Sequence, residues 1–330
     1  MEFGPVPLDQ AEGAILAHSV AFAGGKLRKG VRIGPAELAA LRAAGFAAVI
    51  AARLAPTDLP EDEAATRIGA ALAPDPAAQG LRLSQAATGR VNIHATGAGV
   101  MVLDAAAIHA LNRVNPMITL ATVAPFQRVD AGAMVATVKI IAYGVPEADV
   151  ARACAAAPAA LRLVPPRYRS ATLIETVTSA AAPSSKGREA LRARLARLGL
   201  ALGDHVVVPH QVPALAGAIG AASGEVIFVL TASATSDPMD VAPQGLRAAG
   251  GTVTHFGLPV DPGNLLFFGA LAARPVIGLP GCARSPALNG ADWVLERLIC
   301  GLPLTPDDIA GMGVGGLLKE IPTRPRPREA

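Results

Sequence analysis

The sequence has few aromatic residues, few charged residues and little net charge. Aromatics make up 3% of the 330 residues, while hydrophobic residues make up 52%. We therefore expect a core built from Ala, Val, Leu and Ile. Charged residues make up 17%, and the formal net charge at pH 7 is +3. The basic residues are scattered, so the sequence shows no electrostatic footprint for nucleic acid or an anionic membrane surface.

Cysteine, long apolar runs and common nucleotide-binding motifs are also scarce or missing. The three cysteines, Cys154, Cys282 and Cys300, form no CxxC pair and no His/Cys pair at ligand spacing. This argues against a disulfide framework and a zinc site. The first residues lack the basic region of a signal peptide, and no apolar run approaches the ~18 residues of a membrane span. We expect a cytoplasmic protein with reduced thiols. Because GxGxxG and GxxxxGK[ST] are absent, a generic nucleotide-binding protein is the weakest hypothesis.

The first half of the chain predicts a β-rich α+β region over residues 1–155. Residues 7–20, PLDQAEGAILAHSV, have apolar residues at helical spacing after Asp9, a plausible N-cap, and predict an opening helix. Residues 34–45 predict a second helix that Gly45 ends. Residues 118–145 read as strand, turn and strand, with the turn at Gly132.

The second half predicts a different architecture. An Ala/Pro-rich segment at 156–168 reads as a linker, since Pro165 and Pro166 prevent a continuing helix. Strands then alternate with short helices over residues 169–318, a pattern typical of a parallel α/β sheet. A polar, Pro-rich tail at 319–330 is expected to be disordered. The predicted fold class is α/β, a mostly parallel sheet with helices on both faces, joined to the β-rich α+β N-terminal region.

The segment LTASATSDPMD at 230–240 follows a buried strand and is the first candidate site. In an open parallel sheet, ligands bind beyond the carboxyl ends of the strands. Small residues let backbone N–H groups approach a ligand, and a helix predicted from Val241 would favour anions at its start. Asp240 is a candidate for catalysis or Mg²⁺ binding, although capping of the helix explains it equally well. The candidate ligand-binding residues of this segment are Thr231, Ser233, Thr235, Ser236 and Asp237.

Two further turns and a histidine complete the candidate site. In VIGLPGCARSP, residues 276–286, a strand enters a turn, and Pro286 is a natural first residue of a helix. The alternative is an ordinary strand-turn-helix connection with Ser285 as its N-cap. Arg284 beside that start suits a phosphate or another acidic group. His210 at a strand end would serve as a general base, although a structural role is the more usual one. The candidate ligand-binding residues of the two turns are Asp261, Gly263, Asn264, Pro280, Gly281, Arg284 and Ser285.

In this order, LTASATSDPMD, VDPGNLLFFG and VIGLPG resemble the molybdenum-cofactor biosynthesis (MoaB/Mog-like) domain of molybdopterin adenylyltransferases, molybdotransferases and gephyrin. The first half resembles the accessory part of molybdotransferases. GLPGCARSPALNGADWVLERL and DIAGMGVGGLLKEIPTRPRPR resemble a bacterial subgroup of molybdopterin-binding proteins. In that subgroup, the region often precedes a molybdopterin cytidylyltransferase domain.

The resemblance implies a molybdopterin or molybdenum-cofactor ligand, possible use of Mg²⁺, a homo-oligomer, and partners among molybdopterin cytidylyltransferases and xanthine-dehydrogenase-like hydroxylases. The sequence departs from the family where Asp261 and Asn264 replace two lysines, and where His210 and Gln211 replace acids. It also carries no Gly-rich nucleotidyltransferase loop, so we expect no CMP transfer by this chain alone. Arg284 is a candidate for the missing positive charge. Two hypotheses stay open: a transferase-like protein of cofactor biosynthesis or delivery, and a non-catalytic carrier.

Overall fold

The structure, a computed structural model, describes residues 1–318. The predicted tail at 319–330 lies outside the described residues. The chain divides into two compact units. The first comprises residues 1–97, 101–125 and 131–163. The second comprises residues 98–100, 126–130 and the chain from Val164 onward.

The elements of the first half are short strands and four helices. They are β1 (Glu2–Pro7), β2 (Ile15–Leu16), β3 (Val20–Phe22), β4 (Gly25–Leu27), α1 (Pro35–Ala43), β5 (Ala48–Arg53), β6 (Asp58–Pro60), α2 (Glu61–Leu72), β7 (Leu81–Leu83), β8 (Arg90–Ala95), β9 (Gly99–Leu103), α3 (Ala105–Asn112), β10 (Ile118–Thr122), β11 (Arg128–Val129), β12 (Met134–Ile140), β13 (Gly144–Pro146), α4 (Glu147–Ala156) and β14 (Leu161–Val164).

Strands and helices alternate in the second half. The elements are β15 (Ser170–Val177), α5 (Lys186–Ala196), β16 (Ala201–Pro209), α6 (Val212–Ala221), β17 (Val226–Leu230), α7 (Val241–Ala248), β18 (Thr252–Phe256), β19 (Phe267–Leu271), β20 (Arg274–Leu279), a 3-10 helix (Gly281–Arg284), α8 (Gly290–Ile299) and α9 (Pro306–Gly311). None of the helices in residues 1–318 has the length and apolar character needed to cross a bilayer.

The first unit contains antiparallel sheets covered by short helices. Its two larger sheets have the strand orders β1-β5-β2 and β10-β12-β8-β7. Leu38 and Leu41 of α1 join a buried core with Val49 of β5. Gly69 of α2 lies against Val91 of β8, since a Cβ at Gly69 would be 3.0 Å from the Val91 side chain. The β-rich α+β character predicted for this region is confirmed.

The opening helix predicted over residues 7–20 is wrong, because the segment forms turns and short strands. Ile15 and Leu16 pair with Ala52 and Ala51 of β5 as a buried antiparallel strand. Gly13 has a φ of +78°, which is incompatible with a right-handed helix. The spacing of the apolar residues suited a helix face, but pairing with β5 satisfies the backbone and buries the same side chains.

The second unit is built on a six-stranded sheet with the order β16-β15-β17-β20-β19-β18. The neighbours β16, β15, β17 and β20 are parallel, while β19 is antiparallel to both β20 and β18. Side chains alternate between the two faces. Leu173 and Phe228 pack with Leu195 of α5 and Val294 of α8, forming one buried cluster.

The opposite face of this sheet carries its own buried cluster. Ile174 and Val229 pack there with Leu215 of α6 and Leu246 of α7. Helices therefore cover both faces of a mostly parallel sheet, and the predicted α/β class is confirmed.

Two short segments from the first half of the sequence belong to the second unit. Val100 of β9 pairs with Arg128 of β11, and its side chain is fully buried in the cluster of α5 and α8. The guanidinium carbon of Arg297 on α8 lies 3.5 Å from the ring centre of Phe126, within the range of a cation–π contact. The core of the second unit is therefore completed by residues distant in sequence.

Candidate functional site

The four parallel strands bring hydroxyl-rich loops to one edge of the sheet. Residues 178–185 follow β15, and residues 231–240 follow the adjacent strand β17. Because β15 and β17 are paired in parallel, with Glu175 opposite Leu230, the two loops leave the sheet from neighbouring positions. Most of their residues are exposed. His210 and the 280–285 segment leave the same edge from β16 and β20.

The shape of the 231–240 loop depends on two buried threonines. Thr231 Oγ1 donates a hydrogen bond of 2.6 Å to the carbonyl oxygen of Ser233 and lies 3.3 Å from Thr235 Oγ1. Ser233 and Ser236 remain exposed. Asp237 is also exposed, and its Oδ1 accepts the N–H of Met239 at 2.7 Å. The candidate residues thus divide into two that fix the loop and others that face solvent.

Asp240 occupies the N-cap position of α7. Its Oδ1 accepts the N–H of Val241 at 2.7 Å, and its Oδ2 accepts the N–H of Ser236 at 3.3 Å. The carboxylate therefore joins the loop to the helix while remaining partly exposed. Within residues 1–318, no group of three or more His, Cys, Asp or Glu side chains has the arrangement of a metal site.

A buried arginine from α5 holds the segment that follows β20. Arg194 Nε donates to Asp292 Oδ1 at 2.6 Å, and Nη1 donates to the carbonyl oxygen of Ala283 at 2.9 Å. Its Nη2 donates to the carbonyl oxygens of Ser285 and Ala287, each at 2.9 Å. One side chain thus fixes three carbonyl groups of this connection.

The helix predicted to start at Pro286 begins instead at Gly290. Asn289 is the N-cap, and Asp292 completes a capping box by accepting the Asn289 N–H at 2.8 Å. Ser285 is not the N-cap, because its carbonyl oxygen and that of Ala287 are turned toward Arg194. Gly281–Arg284 form a 3-10 turn. The chain therefore makes a longer connection at this edge than the sequence pattern indicated.

Arg284 joins the 280–285 segment to the 231–240 loop. Its Nη2 donates to the carbonyl oxygen of Thr231 at 2.7 Å. This partner is a neutral carbonyl group rather than a carboxylate. Pro280 is buried, and Gly281 is exposed beside it. The structure therefore brings these two predicted segments together.

The 261–264 turn packs against the start of α8. Gly263 has a φ of +138°, and a Cβ there would be 2.7 Å from the Gly290 nitrogen. The Gly290 N–H donates to the carbonyl oxygen of Pro262 at 2.8 Å. Asn264 is exposed, and its Nδ2 donates to the carbonyl oxygen of Leu258 at 3.3 Å. Asp261 is partly exposed, and its N–H donates to the carbonyl oxygen of Gly316 at 2.8 Å. This turn therefore packs against Asn289 and Gly290, where α8 begins.

His210 is connected to the 231–240 loop through a buried threonine. Its Nδ1 lies 2.8 Å from Thr176 Oγ1, and the same hydroxyl accepts the N–H of Ala232 at 2.9 Å. His210 is partly exposed. The side chain therefore lies in the candidate site with one ring nitrogen occupied.

Sequence reasoning missed a chain of three hydrogen-bonded polar side chains on the α5 face of the sheet. Glu175 is buried in β15, and its Oε2 lies 2.7 Å from His205 Nε2 on β16. His205 Nδ1 lies 2.9 Å from Arg188 Nη1 on α5. An acid inside the apolar strand ATLIETV could have identified Glu175. His205 gave no comparable signal, since its partners come from two other elements.

An acid on α8 has an altered pKa. Burial, aided by the nearby Asp292 charge, raises the pKa of Glu296 from 4.5 to about 7. Arg128, whose Nε lies 3.5 Å from Glu296 Oε1, opposes the shift without cancelling it. Burial also raises the pKa of the nearby Cys300 thiol to about 12, and Glu296 contributes to that shift.

Together, the sheet and its loops define an α/β unit with an exposed, hydroxyl-rich edge, which is the candidate ligand site. The family model "Domain of unknown function (DUF8806)" matches residues 5–53, a small part of the chain. No curated protein matches the chain in sequence.

Solved structures of molybdopterin biosynthesis proteins show a distant likeness. One is the molybdopterin biosynthesis MoeA protein from Pyrococcus horikosii, 13% identical, with 91% of this chain and 75% of that chain covered and a TM-score of 0.30. Another is the molybdopterin biosynthesis enzyme MoaB from Thermus theromophilus. It is 16% identical, with 46% of this chain and 99% of that chain covered and a TM-score of 0.27. Since both TM-scores are below 0.5, neither likeness supports a conclusion about activity.

Proposed function

We propose that the second unit binds molybdopterin, or the completed molybdenum cofactor, at the carboxyl edge of its parallel sheet. In this proposal the chain acts in the cytoplasm, in the biosynthesis of the cofactor or in its delivery to xanthine-dehydrogenase-like hydroxylases. The observation that carries it is the adjacency of the exposed loops 178–185 and 231–240 at that edge. The turns of the three sequence motifs that resemble the molybdenum-cofactor family support a pterin as the ligand.

The chemistry of the edge suits a phosphorylated ligand. Ser233 and Ser236 offer exposed hydroxyl donors, and small side chains leave the backbone accessible. Arg284 lies at the base of the loop with its charge uncompensated by a carboxylate in the described residues. Each charge-assisted hydrogen bond to a phosphate is worth about 1.5–3 kcal/mol. Mg²⁺ would be held by Asp240 together with oxygens of the ligand.

In the catalytic form of the proposal, Asp240 and His210 act on the bound ligand in a transferase-like reaction. Asp240 would bind Mg²⁺ or assist transfer, and His210 would accept a proton near neutral pH. The second candidate function is a non-catalytic carrier, which docks on a molybdopterin cytidylyltransferase or a hydroxylase. Its supporting observation is that both Asp240 oxygens and one His210 nitrogen are already hydrogen-bonded. A homo-oligomer belongs to the proposal in either form.

The test is to titrate the purified protein with molybdopterin, with and without Mg²⁺, molybdate and nucleotides, and to analyse the pterin products. We expect saturable binding by the wild type. Asp240→Asn is the informative variant, because Asn is also a good N-cap and keeps the helix start. Asp307→Asn, at an exposed position of α9, is the matched control.

The results separate the two forms of the proposal. If Asp240→Asn binds molybdopterin but no longer supports product formation or hydroxylase activation, the catalytic form is supported. If Asp240→Asn loses binding alone, or changes nothing, the carrier form is supported. Failure of the wild-type protein to bind molybdopterin under any of these conditions would refute both.

A further inference from the structure

One buried hydroxyl links His210 to the 231–240 loop. Thr176 lies near the carboxyl end of β15 and is 2% exposed. Its Oγ1 accepts the N–H of Ala232 at 2.9 Å and lies 2.8 Å from Nδ1 of His210. The backbone N–H of His210 donates to the carbonyl oxygen of Val177 at 2.8 Å. His210 is therefore held through both its backbone and its ring.

The contacts of this hydroxyl decide which nitrogen of His210 carries the ring proton. A threonine hydroxyl donates one hydrogen and accepts up to two. Within residues 1–318, Thr176 Oγ1 makes hydrogen bonds only with the Ala232 N–H and the His210 ring. Because the Ala232 N–H is a donor, the hydroxyl hydrogen has an acceptor only at His210 Nδ1. If Nδ1 carried a proton, this buried hydroxyl hydrogen would lose its acceptor, which is costly.

The ring proton of neutral His210 therefore belongs on Nε2. In the described part of the chain this nitrogen makes no hydrogen bond, and the residue is partly exposed. The ring also lies beside the 231–240 loop, since one hydroxyl contacts both His210 and Ala232. The candidate site thus has an N–H donor at this point, whereas a general base would need an unprotonated Nε2.

We propose that Thr176 is a positioning residue, which holds His210 as a neutral Nε2–H donor to an acceptor oxygen of the ligand. The proposed function supplies the ligand on which this inference rests. In place of the general-base role of the catalytic form, His210 then binds the ligand and takes no proton from it. The same hydroxyl fixes the Ala232 N–H, so the donor and the start of the 231–240 loop keep their relative positions.

The first test needs no ligand and measures the tautomer of His210. Two-bond proton–nitrogen NMR correlations of the histidine rings are recorded on the whole protein at pH 8, where histidine side chains in general are neutral. His210→Gln identifies the His210 signals among the six histidines. We expect the Nε2–H tautomer in the wild type. Thr176→Val should lower the ratio of Nε2–H to Nδ1–H by about 10-fold, and Thr176→Ser should restore it.

Thr172→Val is the matched control for the loss of a buried hydroxyl. Thr172 lies on the same strand, is fully buried, and accepts the N–H of Gly224 at 2.9 Å. The control therefore removes the same kind of hydrogen bond where no histidine takes part, and we expect an unchanged His210 tautomer. Fluorescence of Trp293, the single tryptophan, reports whether each variant is folded.

The second test measures the affinity for molybdopterin of two His210 variants. His210→Gln keeps a side-chain N–H donor, so we expect its affinity to stay within about threefold of the wild type. His210→Phe keeps a planar ring but has no donor, so we expect it to bind about 10-fold more weakly. Equal losses of affinity in the two variants would overturn the donor role.

The NMR results also separate this inference from the proposed function. An Nδ1–H tautomer in the wild type, or the same tautomer ratio in Thr176→Val and Thr172→Val, would overturn the inference. If molybdopterin still binds in that case, the proposed function stands without it. If the tautomer depends on Thr176 as expected but molybdopterin does not bind, the proposed function fails. The Nε2–H donor then stands, because it is measured without a ligand.

Discussion

Replacing Arg194 by Met should destabilise the second unit severely and loosen the 280–289 connection. The Arg194 side chain is 8% exposed, and its guanidinium is hydrogen-bonded to Asp292 and to three carbonyl oxygens. Met fills a similar volume but leaves the Asp292 carboxylate, also 8% exposed, without its cation. Breaking a buried pair from one side costs about 3–5 kcal/mol. This is a large part of the free energy of unfolding of a typical domain, which is roughly 5–15 kcal/mol.

The assay is urea unfolding followed by the fluorescence of Trp293, which is the only tryptophan and lies next to Asp292 on α8. The signal therefore reports the second unit. Arg192→Met is the matched control, since Arg192 is exposed on the same helix and should cost less than about 0.5 kcal/mol. Adding Asp292→Asn to Arg194→Met should restore part of the loss, because it removes the orphaned charge. The reasoning is refuted if Arg194→Met unfolds at the same urea concentration as Arg192→Met.

Three other perturbations follow from the structure. Glu296→Gln should stabilise the second unit by up to about 3 kcal/mol at pH 8 and have little effect at pH 4. The wild type loses stability as pH rises from 4.5 through about 7, the pKa of Glu296 in the folded protein. An equal effect of the substitution at both pH values in the same fluorescence assay would contradict this prediction. Gly263→Ala should lower the free energy of unfolding by about 1–3 kcal/mol in that assay, because the φ of Gly263 is positive and a Cβ would press on the Gly290 nitrogen. An unchanged free energy of unfolding would count against the observed packing. Iodoacetamide at pH 8 should label the exposed Cys282 and spare Cys300, because burial raises the pKa of the Cys300 thiol to about 12. Peptide mass spectrometry measures the labelling, and similar labelling rates for both cysteines would contradict this prediction.

The strands and helices of the second unit could be predicted because their signals are local. The run from Val226 to Leu230 is continuously apolar and forms a strand buried on both faces. Asp240 stands at the start of α7, as its residue type and position suggested. These features depend on a few neighbouring residues, so a single sequence contains enough information to locate them.

The failures occurred where a distant residue decided between two local possibilities. Residues 7–20 had helical spacing, but pairing with β5 made Ile15 and Leu16 a strand. Ser285 and Pro286 had the pattern of a helix start, but Arg194 turned the carbonyl groups of that segment away from helix geometry. In both cases the competing contact comes from a part of the chain that the local pattern does not include.

The sequence by itself determined the α/β class, the succession of elements and the hydroxyl-rich segment at the end of β17. Periodicity and turn residues encode these properties, since each is an interaction among neighbours in the chain. Only the tertiary structure decided which polar side chains meet on the α5 face of the sheet. Glu175, His205 and Arg188 lie on three elements, and their hydrogen bonds form only when sheet pairing and helix packing have brought those elements together.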